Sequence, residues 1–124
     1  MNKASITKVG TVLYALVIAF FGINHFLNGT GMAGMVPSFI PGKSVFWVYL
    51  TGVALILAAI SILTGMQTRL AGILLAVFLL LIVLTVHLPA IIHAPDQNAA
   101  RFPLTNLIKD LGLAAGALLI AGKH

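Results

Sequence analysis

The stretch LAGILLAVFLLLIVLTVHLPAII, residues 70–92, decides the fold of this chain. Its side chains are almost all apolar, and His87 is the only ionisable one. A run of this length is typical of a helix that crosses a lipid bilayer, which takes about 20 residues. Three similar runs cover most of the remaining sequence, at residues 9–27, 45–63 and 104–121. The sequence therefore predicts an all-α membrane protein, with four transmembrane helices in a single domain.

Composition favours the same class of protein. Of the 124 residues, 60% are hydrophobic and 7% are charged, and the mean hydropathy is +1.13. A soluble domain needs a polar surface that this composition does not supply. The net charge of +5 comes from basic residues scattered near the span ends, which predicts anchoring to lipid headgroups and no binding of nucleic acid. With no cysteine, the chain forms neither disulfides nor iron–sulfur sites.

The connections between the predicted helices differ in length and polarity. Residues 64–69 are few enough to force an antiparallel hairpin between helices 2 and 3. Residues 28–44 combine glycines and prolines with large apolar side chains, so we expect them to lie at the membrane interface or fold back over the mouth of the bundle. Residues 93–103 are the most polar segment and predict a solvent loop. The expected fold is an antiparallel bundle with an interfacial loop between helices 1 and 2.

Basic residues near the span ends predict the orientation. One side has Lys3, Lys8, Arg69 and Lys123, and the other has Lys43, Arg101 and Lys109. The positive-inside rule, with a margin of 4 to 3, favours both termini in the cytoplasm and the two longer loops outside. The first apolar run also resembles a secretory signal. Because it is longer than a typical signal and lacks a convincing cleavage site, we expect it to be a retained helix.

Polar side chains that interrupt the apolar runs all fall near one predicted membrane face. They are Asn24, His25, His87, Asn106, Lys109 and Asp110. Ionisable groups at membrane depth are costly, so their clustering predicts a ligand site. Helical side chains lean toward the N-terminus of their helix, so the two histidines point into the membrane while Asp110 points outward to meet them. We expect a hydrogen-bonded pair between a histidine and Asp110, with His87 the better candidate.

Simpler roles are open for several of these residues. Lys109 can extend to the headgroups along its apolar stem, and His25, near its helix end, can be merely solvated. Asn24 also suits hydrogen bonding between helices. Small-xxx-small patterns predict close packing inside the bundle, with a homo-oligomer interface as the alternative. These patterns are Gly112-x-x-x-Gly116, Gly72-x-x-x-Ala76 and Ala54-x-x-x-Ala58.

Common cofactor and catalytic motifs find little support in the sequence. Two histidines at equal depth are the geometry of haem b ligands, but many membrane histidines bind no haem, so none is expected. No HxxH or ExxH pattern accompanies the single carboxylate of the cluster, so no metal site is predicted. The chain also has no nucleophile motif and no phosphate-binding glycine loop.

Four strings along the chain carry a resemblance to a known family. They are Gly22-Ile23-Asn24-His25-Phe26, Met35-Val36-Pro37-Ser38-Phe39-Ile40-Pro41-Gly42 leading to Trp47, Thr85-Val86-His87-Leu88-Pro89, and Asn106-Leu107-Ile108-Lys109-Asp110-Leu111. Together they resemble the DoxX family of small bacterial membrane proteins, in order and over nearly the whole chain. The resemblance implies a four-helix protein of the bacterial inner membrane. Some members are linked to thiosulfate:quinone oxidoreduction or to redox-stress complexes, although this chain has no thiol for sulfur chemistry.

Two functions follow as hypotheses. In the first, the chain is a DoxX-like component without catalytic activity that scaffolds a partner or binds a lipid or small ligand in the bilayer. In the alternative, it is the membrane subunit of a quinone-linked oxidoreductase with a redox partner protein, and a histidine beside Asp110 exchanges protons with the quinone headgroup. A single cavity lined by the polar cluster and roofed by residues 35–42 would favour a ligand site.

Overall fold

The chain folds into helices and short turns in the computed structural model, which describes residues 2–124. Four helices of 21 to 26 residues are long and apolar enough to cross a membrane. At a rise of about 1.5 Å per residue, even the shortest of them matches the roughly 30 Å hydrocarbon core of a bilayer. The predicted fold class is confirmed: this is an all-α, four-helix membrane protein.

The elements follow one another in a simple order. They are α1 (Lys3–Leu27), α2 (Gly29–Met32), a 3₁₀ turn (Ala33–Met35), α3 (Ser44–Thr64), α4 (Thr68–Ile82), a π-helical segment (Val83–His87), α5 (Leu88–Ile92) and α6 (Gln97–Gly122). The four spans are α1, α3, the continuous helix Thr68–Ile92, and α6. The second and third spans begin and end within two residues of the predicted bounds.

The first and fourth spans begin six and seven residues before the apolar runs that predicted them, because polar residues cap their N-termini. Asn2 Oδ1 accepts a hydrogen bond from the Ser5 backbone N–H at 2.8 Å, so α1 begins at Lys3. Asp96 Oδ1 accepts one from the Ala99 N–H, also at 2.8 Å, so α6 begins at Gln97. Each cap satisfies a donor that the helix itself leaves unpaired.

The prediction of a solvent loop over residues 93–103 is wrong for most of that segment. Residues 97–103 belong to the first two turns of α6, and Pro103 lies inside the helix. The polar residues of these turns cover a helix end beyond the apolar run, where water replaces lipid. Polarity alone does not distinguish such an end from a loop, whereas the Asp96 cap does.

The bundle consists of two closely packed antiparallel pairs. α1 packs mainly against α3, and α4 packs mainly against α6. Glycines allow both approaches: a Cβ added at Gly52 would lie 3.0 Å from the Gly22 carbonyl oxygen, and one added at Gly72 would lie 2.8 Å from that of Ala117. Ala76, one turn from Gly72, is fully buried. Lipid tails are as apolar as the side chains of the helices, so the hydrophobic effect gives the helices little reason to associate. Close approach of their backbones instead supplies the packing contacts that hold membrane helices together.

The other small-residue patterns have mixed outcomes. The Tyr14 ring of α1 fills the notch at Gly116 of α6, and the Tyr14 hydroxyl donates to the Leu113 carbonyl. A Cβ at Gly112 would meet no atom within 4 Å, and Ala54 is exposed. Packing within the bundle is therefore confirmed for the α4 pattern and for Gly116, and is wrong for Gly112 and Ala54.

The two pairs meet along a core rich in small side chains, and the outside of the bundle is apolar. The core comprises Ala15, Ile18, Leu55, Ala59, Ile62, Leu75, Ala76, Leu79, Ala114, Ala117 and Ile120. Large exposed side chains along the spans are almost all aliphatic or aromatic. A surface of this kind is a lipid-facing one, since soluble monomers do not expose apolar area on this scale.

The expected hairpin joins α3 to α4. Gly65 ends α3 with a φ of +78°, the left-handed conformation that favours glycine. The Thr68 hydroxyl donates to the Ser61 carbonyl at 3.0 Å, and the Ser61 hydroxyl donates to the Met66 carbonyl. The first bond adds a second donor to the Ser61 carbonyl, which also accepts from the Gly65 N–H at 3.0 Å, and the second pairs a carbonyl of the turn itself.

Substitution of Gly52 tests the packing of the first pair. Gly52→Ala places a methyl group 2.9 Å from the Phe26 ring and 3.0 Å from His25 Cβ, so we expect a loss of about 1–3 kcal/mol of stability from overpacking. The matched control is Gly112→Ala, where the space is open and the gain in helix propensity is about 1 kcal/mol. Thermal unfolding in mild detergent, followed by circular dichroism, measures both. A Gly52→Ala protein as stable as the control would contradict the close approach.

Candidate functional site

A cavity of about 680 Å³ lies within the bundle, at the end where α1 finishes and α3 begins. All four spans contribute to its wall. It brings together every polar residue that the sequence singled out, namely Asn24, His25, His87, Asn106, Lys109 and Asp110. The predicted cluster therefore faces one shared space inside the protein.

The segment between α1 and α3, residues 28–43, forms the roof of this cavity. Its large side chains that line the space are Met32, Met35, Val36, Pro37, Phe39 and Ile40. The Trp47 indole N–H donates to the Pro41 carbonyl at 2.6 Å and ties the roof to the first turn of α3. Gly42, with a φ of +91°, turns the chain into that helix. The segment folds back over the mouth of the bundle, as one of the two predicted arrangements required.

The expected pair between histidine and aspartate is present at the wall of the cavity. His87 Nε2 lies 2.8 Å from Asp110 Oδ2, and both residues are 5% exposed. An ionised carboxylate only accepts hydrogen bonds, so His87 Nε2 carries the hydrogen and donates it. The pair joins the third span to the fourth and satisfies a carboxylate that would otherwise be very costly to bury.

The other nitrogen of His87 has no partner. Nδ1 is buried and is the one such side-chain atom, within residues 2–124, that forms no hydrogen bond. Leaving a buried polar atom unsatisfied costs about 1–3 kcal/mol. A buried imidazole edge without a partner, in a residue that lines a cavity, is a feature that a bound polar group would satisfy.

A local irregularity of the third span positions His87. Residues Val83–His87 form a π-helical turn, with the Leu88 N–H bonded to the Val83 carbonyl five residues back. Pro89 follows, and it has no N–H to give to Thr85, whose carbonyl its ring would press against in a regular helix. The wider turn relieves that crowding. Such turns occur frequently at functional sites, and the proline two residues after His87 is the sequence signal for this one.

Lys109 points toward the cluster. Its Nζ lies 3.6 Å from Asp110 Oδ1 and 4.3 Å from the centre of the Phe21 ring. The side chain is 37% exposed, so these contacts contribute modestly to stability. Their main effect is on charge: one ammonium balances one carboxylate at the polar end of the cavity. Lys109 thus contacts the cluster, and its extension to the headgroups stays a prediction.

His25 presents one nitrogen to the space. Its Nδ1 lies 2.6 Å from the Phe21 carbonyl, which can only accept, so the hydrogen is on Nδ1 and the Nε2 lone pair is available to a ligand in the neutral ring. Asn24 Oδ1 accepts from the Asn28 side chain at the end of α1. Asn106 lies one turn before Asp110 on α6 and completes the polar wall.

Phe21, Thr51 and Thr85 are among the lining residues that the sequence did not assign to the site. Phe21 lies one turn before His25 on the same helix face, a spacing that would have identified it. Thr51 and Thr85 also line the cavity, but their hydroxyls donate to carbonyls of their own helices at 2.9 and 2.7 Å. They offer little hydrogen-bonding capacity to a ligand, so their contribution is mainly to shape.

Fold and site define the class: a multi-pass, four-helix membrane protein with a roofed internal cavity and a buried imidazole–carboxylate pair. Residues 14–122 match the family model described as a domain of unknown function, DUF8561, and the chain belongs to that family. No curated protein and no solved structure matches the chain. Within residues 2–124, no group of three or more histidine, cysteine or acidic side chains is placed to hold a metal ion.

Substitution of Asp110 tests the buried pair. Asp110→Ala leaves both His87 nitrogens without a partner, and we expect it to cost about 3–5 kcal/mol. Asp110→Asn keeps an acceptor for Nε2 and should cost less, about 1–2 kcal/mol. Asp96→Asn is the matched control, because Asn caps a helix as well as Asp. Thermal unfolding in detergent ranks the variants. Equal stability of Asp110→Ala and the control would show that the pair contributes nothing.

Proposed function

We propose that the protein binds a small amphipathic molecule within the membrane, as a non-catalytic binding or scaffolding component. The observation that carries this proposal is the buried His87–Asp110 pair, which lines a cavity of about 680 Å³ and leaves the buried Nδ1 of His87 without a partner. That volume is within the usual range of about 300–1,000 Å³ for small-molecule sites. A small shift of the His87 ring that uncovers Nδ1 lets the ligand's polar group form a hydrogen bond there, which removes the cost of the unsatisfied atom.

The polar end of the cavity favours a hydroxyl group on the ligand. Neutral His87 offers a lone pair at Nδ1, and cationic His87 offers a hydrogen there. A hydroxyl either donates or accepts, so it matches both states. The nearby Lys109 ammonium and His25 Nε2 provide further partners for a head group with more than one polar atom.

The roof favours a ligand whose remaining part, away from the polar group, is apolar. Met32 and Met35 are flexible, polarisable side chains that adapt to ligands of irregular shape. Phe39, Ile40 and the ring of Trp47 complete a predominantly apolar ceiling. A molecule with a polar group at His87 and hydrocarbon against the roof is complementary to both surfaces, whereas a wholly polar solute is not.

The DoxX resemblance is part of the same proposal. Each of the four strings that carry it contributes residues to this one cavity: His25, the roof segment from Met35, His87 and Asp110. Their shared placement is the support that we offer for this part of the proposal. On this basis we propose a DoxX-like protein of the bacterial inner membrane, with the bilayer as its surroundings.

A second candidate function is a quinone-linked oxidoreductase subunit, and the His87–Asp110 pair favours it. Oxidation of a quinol releases two protons and two electrons: one hydroxyl proton passes to His87 Nδ1, where Asp110 stabilises the imidazolium that forms, and the second passes to His25 Nε2 or to water. The electrons leave to a redox partner protein, since the chain has no cysteine and no metal-binding group among residues 2–124. The quinone is then substrate, and the chain contributes binding and proton transfer.

Mass spectrometry of molecules that co-purify with the protein in mild detergent tests both candidates. We expect wild type and the Asp96→Asn control to retain a defined amphiphile, and Asp110→Asn to retain roughly tenfold less, because His87 loses its charged partner. A retained quinone supports the second candidate, and any other defined amphiphile supports the first. Only bulk phospholipid, at equal levels in all three proteins, would refute both.

Cysteine labelling tests the proposed orientation, with both termini in the cytoplasm. The chain has no native cysteine, so single variants report cleanly. A membrane-impermeant maleimide should label Asn98→Cys in intact spheroplasts, and should label Ser5→Cys and Met66→Cys only after permeabilisation, because these two lie at the opposite end of the bundle. The reverse pattern would invert the topology.

A further inference from the structure

A second apolar space lies between α3 and α4, in the half of the bundle nearer their hairpin. It is a groove of about 390 Å³. Short side chains leave the room for it, with Ala54 and Ala58 on one wall and Ala71 on the other. Its one polar lining residue is Gln67, at the hairpin end. The groove is therefore a hydrocarbon environment along its length.

Helix pairing explains why this seam is open. α1 closes on α3 and α4 closes on α6 through glycines, whereas α3 and α4 touch each other less, although a hairpin joins them. On the opposite seam, the Tyr14 ring bridges α1 to α6. The bundle is thus two tight pairs that meet more loosely along both seams, with Tyr14 filling part of one seam and the groove lying in the other.

The groove adjoins the roofed cavity. Leu55 of α3 and Phe78 of α4 line both spaces, so these two side chains form the partition between them. From Leu70 to Phe78 the groove follows eight residues of helix, or about 12 Å. Together the spaces run from the buried His87–Asp110 pair toward the hairpin of α3 and α4.

We propose that the groove holds the single hydrocarbon chain of a lipid whose polar head lies in the cavity. This inference rests on the proposed function and specifies its ligand as a long-chain, single-tailed amphiphile. Adjacency selects the occupant: a hydrocarbon chain attached to a head group at His87 enters the groove when the half-buried Phe78 ring turns aside from the partition. The alanine walls of the groove accept a narrow, unbranched hydrocarbon chain. Apart from Gln67 at the hairpin end, no polar side chain lines the groove to form a hydrogen bond with a polar chain.

Affinity alone is a weak test of this idea. A hydrocarbon chain that enters the groove leaves lipid and not water, so it gains packing contacts and little hydrophobic free energy. The position of the chain is the sharper observable. Probes with a photoreactive diazirine at the end of the tail report that position, because the group inserts into whatever residue it touches.

The experiment uses the full chain in phosphatidylcholine vesicles with two probes, octanol and hexadecanol, each carrying a terminal diazirine. After irradiation, tandem mass spectrometry maps the labelled residues, with and without excess untagged hexadecanol as competitor. The groove is blocked in Ala58→Phe and, as a second variant, in Ala54→Phe. The matched control is Ala115→Phe, an exposed alanine of α6 outside both spaces.

We expect the hexadecanol probe to give competable labels near Ala71 and Leu74 in wild type and the control, reduced at least severalfold in both groove-blocked variants. The octanol probe should label only residues of the cavity, in all four proteins. One outcome would overturn the groove as the site of the hydrocarbon tail but leave the cavity as a ligand site. It is competable octanol labels in the cavity together with hexadecanol labels that are absent from the groove or unchanged in the groove-blocked variants. No competable label from either probe would contradict both.

Discussion

The buried carboxylate of Asp110 constrains the whole loop end of this bundle. An unpaired charge inside a membrane protein is too costly to persist, so the third and fourth spans must place His87 and Lys109 around it. That requirement fixes the rotation of α6, which in turn sets Asn106 and Lys109 on the cavity wall. The roof then covers a space that the packing of the four spans leaves open.

Much of the fold and the location of the site were predictable from the sequence because both follow from one cost. Apolar runs of about 20 residues predict spans, and polar residues that interrupt them must find one another. Direction along each helix was enough to pair His87 with Asp110, since side chains on antiparallel helices lean toward each other. Pairing of these two residues needed no knowledge of the detailed packing.

What the sequence could not predict depends on contacts between distant segments. The approach of Gly22 to Gly52 belongs to no small-xxx-small pattern within one helix, so single-helix motifs missed it. Helix ends were misplaced where a cap, Asp96, extended a polar segment into α6. The groove between α3 and α4 arises from the difference between tight and loose helix pairs, which no local pattern encodes.

The π-helical turn that ends at His87 decides which side of the third span faces inward. A wider turn holds one residue more than a regular one, so it rotates everything after it by about 100° relative to an uninterrupted helix. Rotation of that size separates a side chain that faces lipid from one that faces the interior. The extra residue between Ile82 and His87 therefore sets whether the imidazole is buried beside Asp110 or turned away from it, while the course of the span through the bundle stays the same.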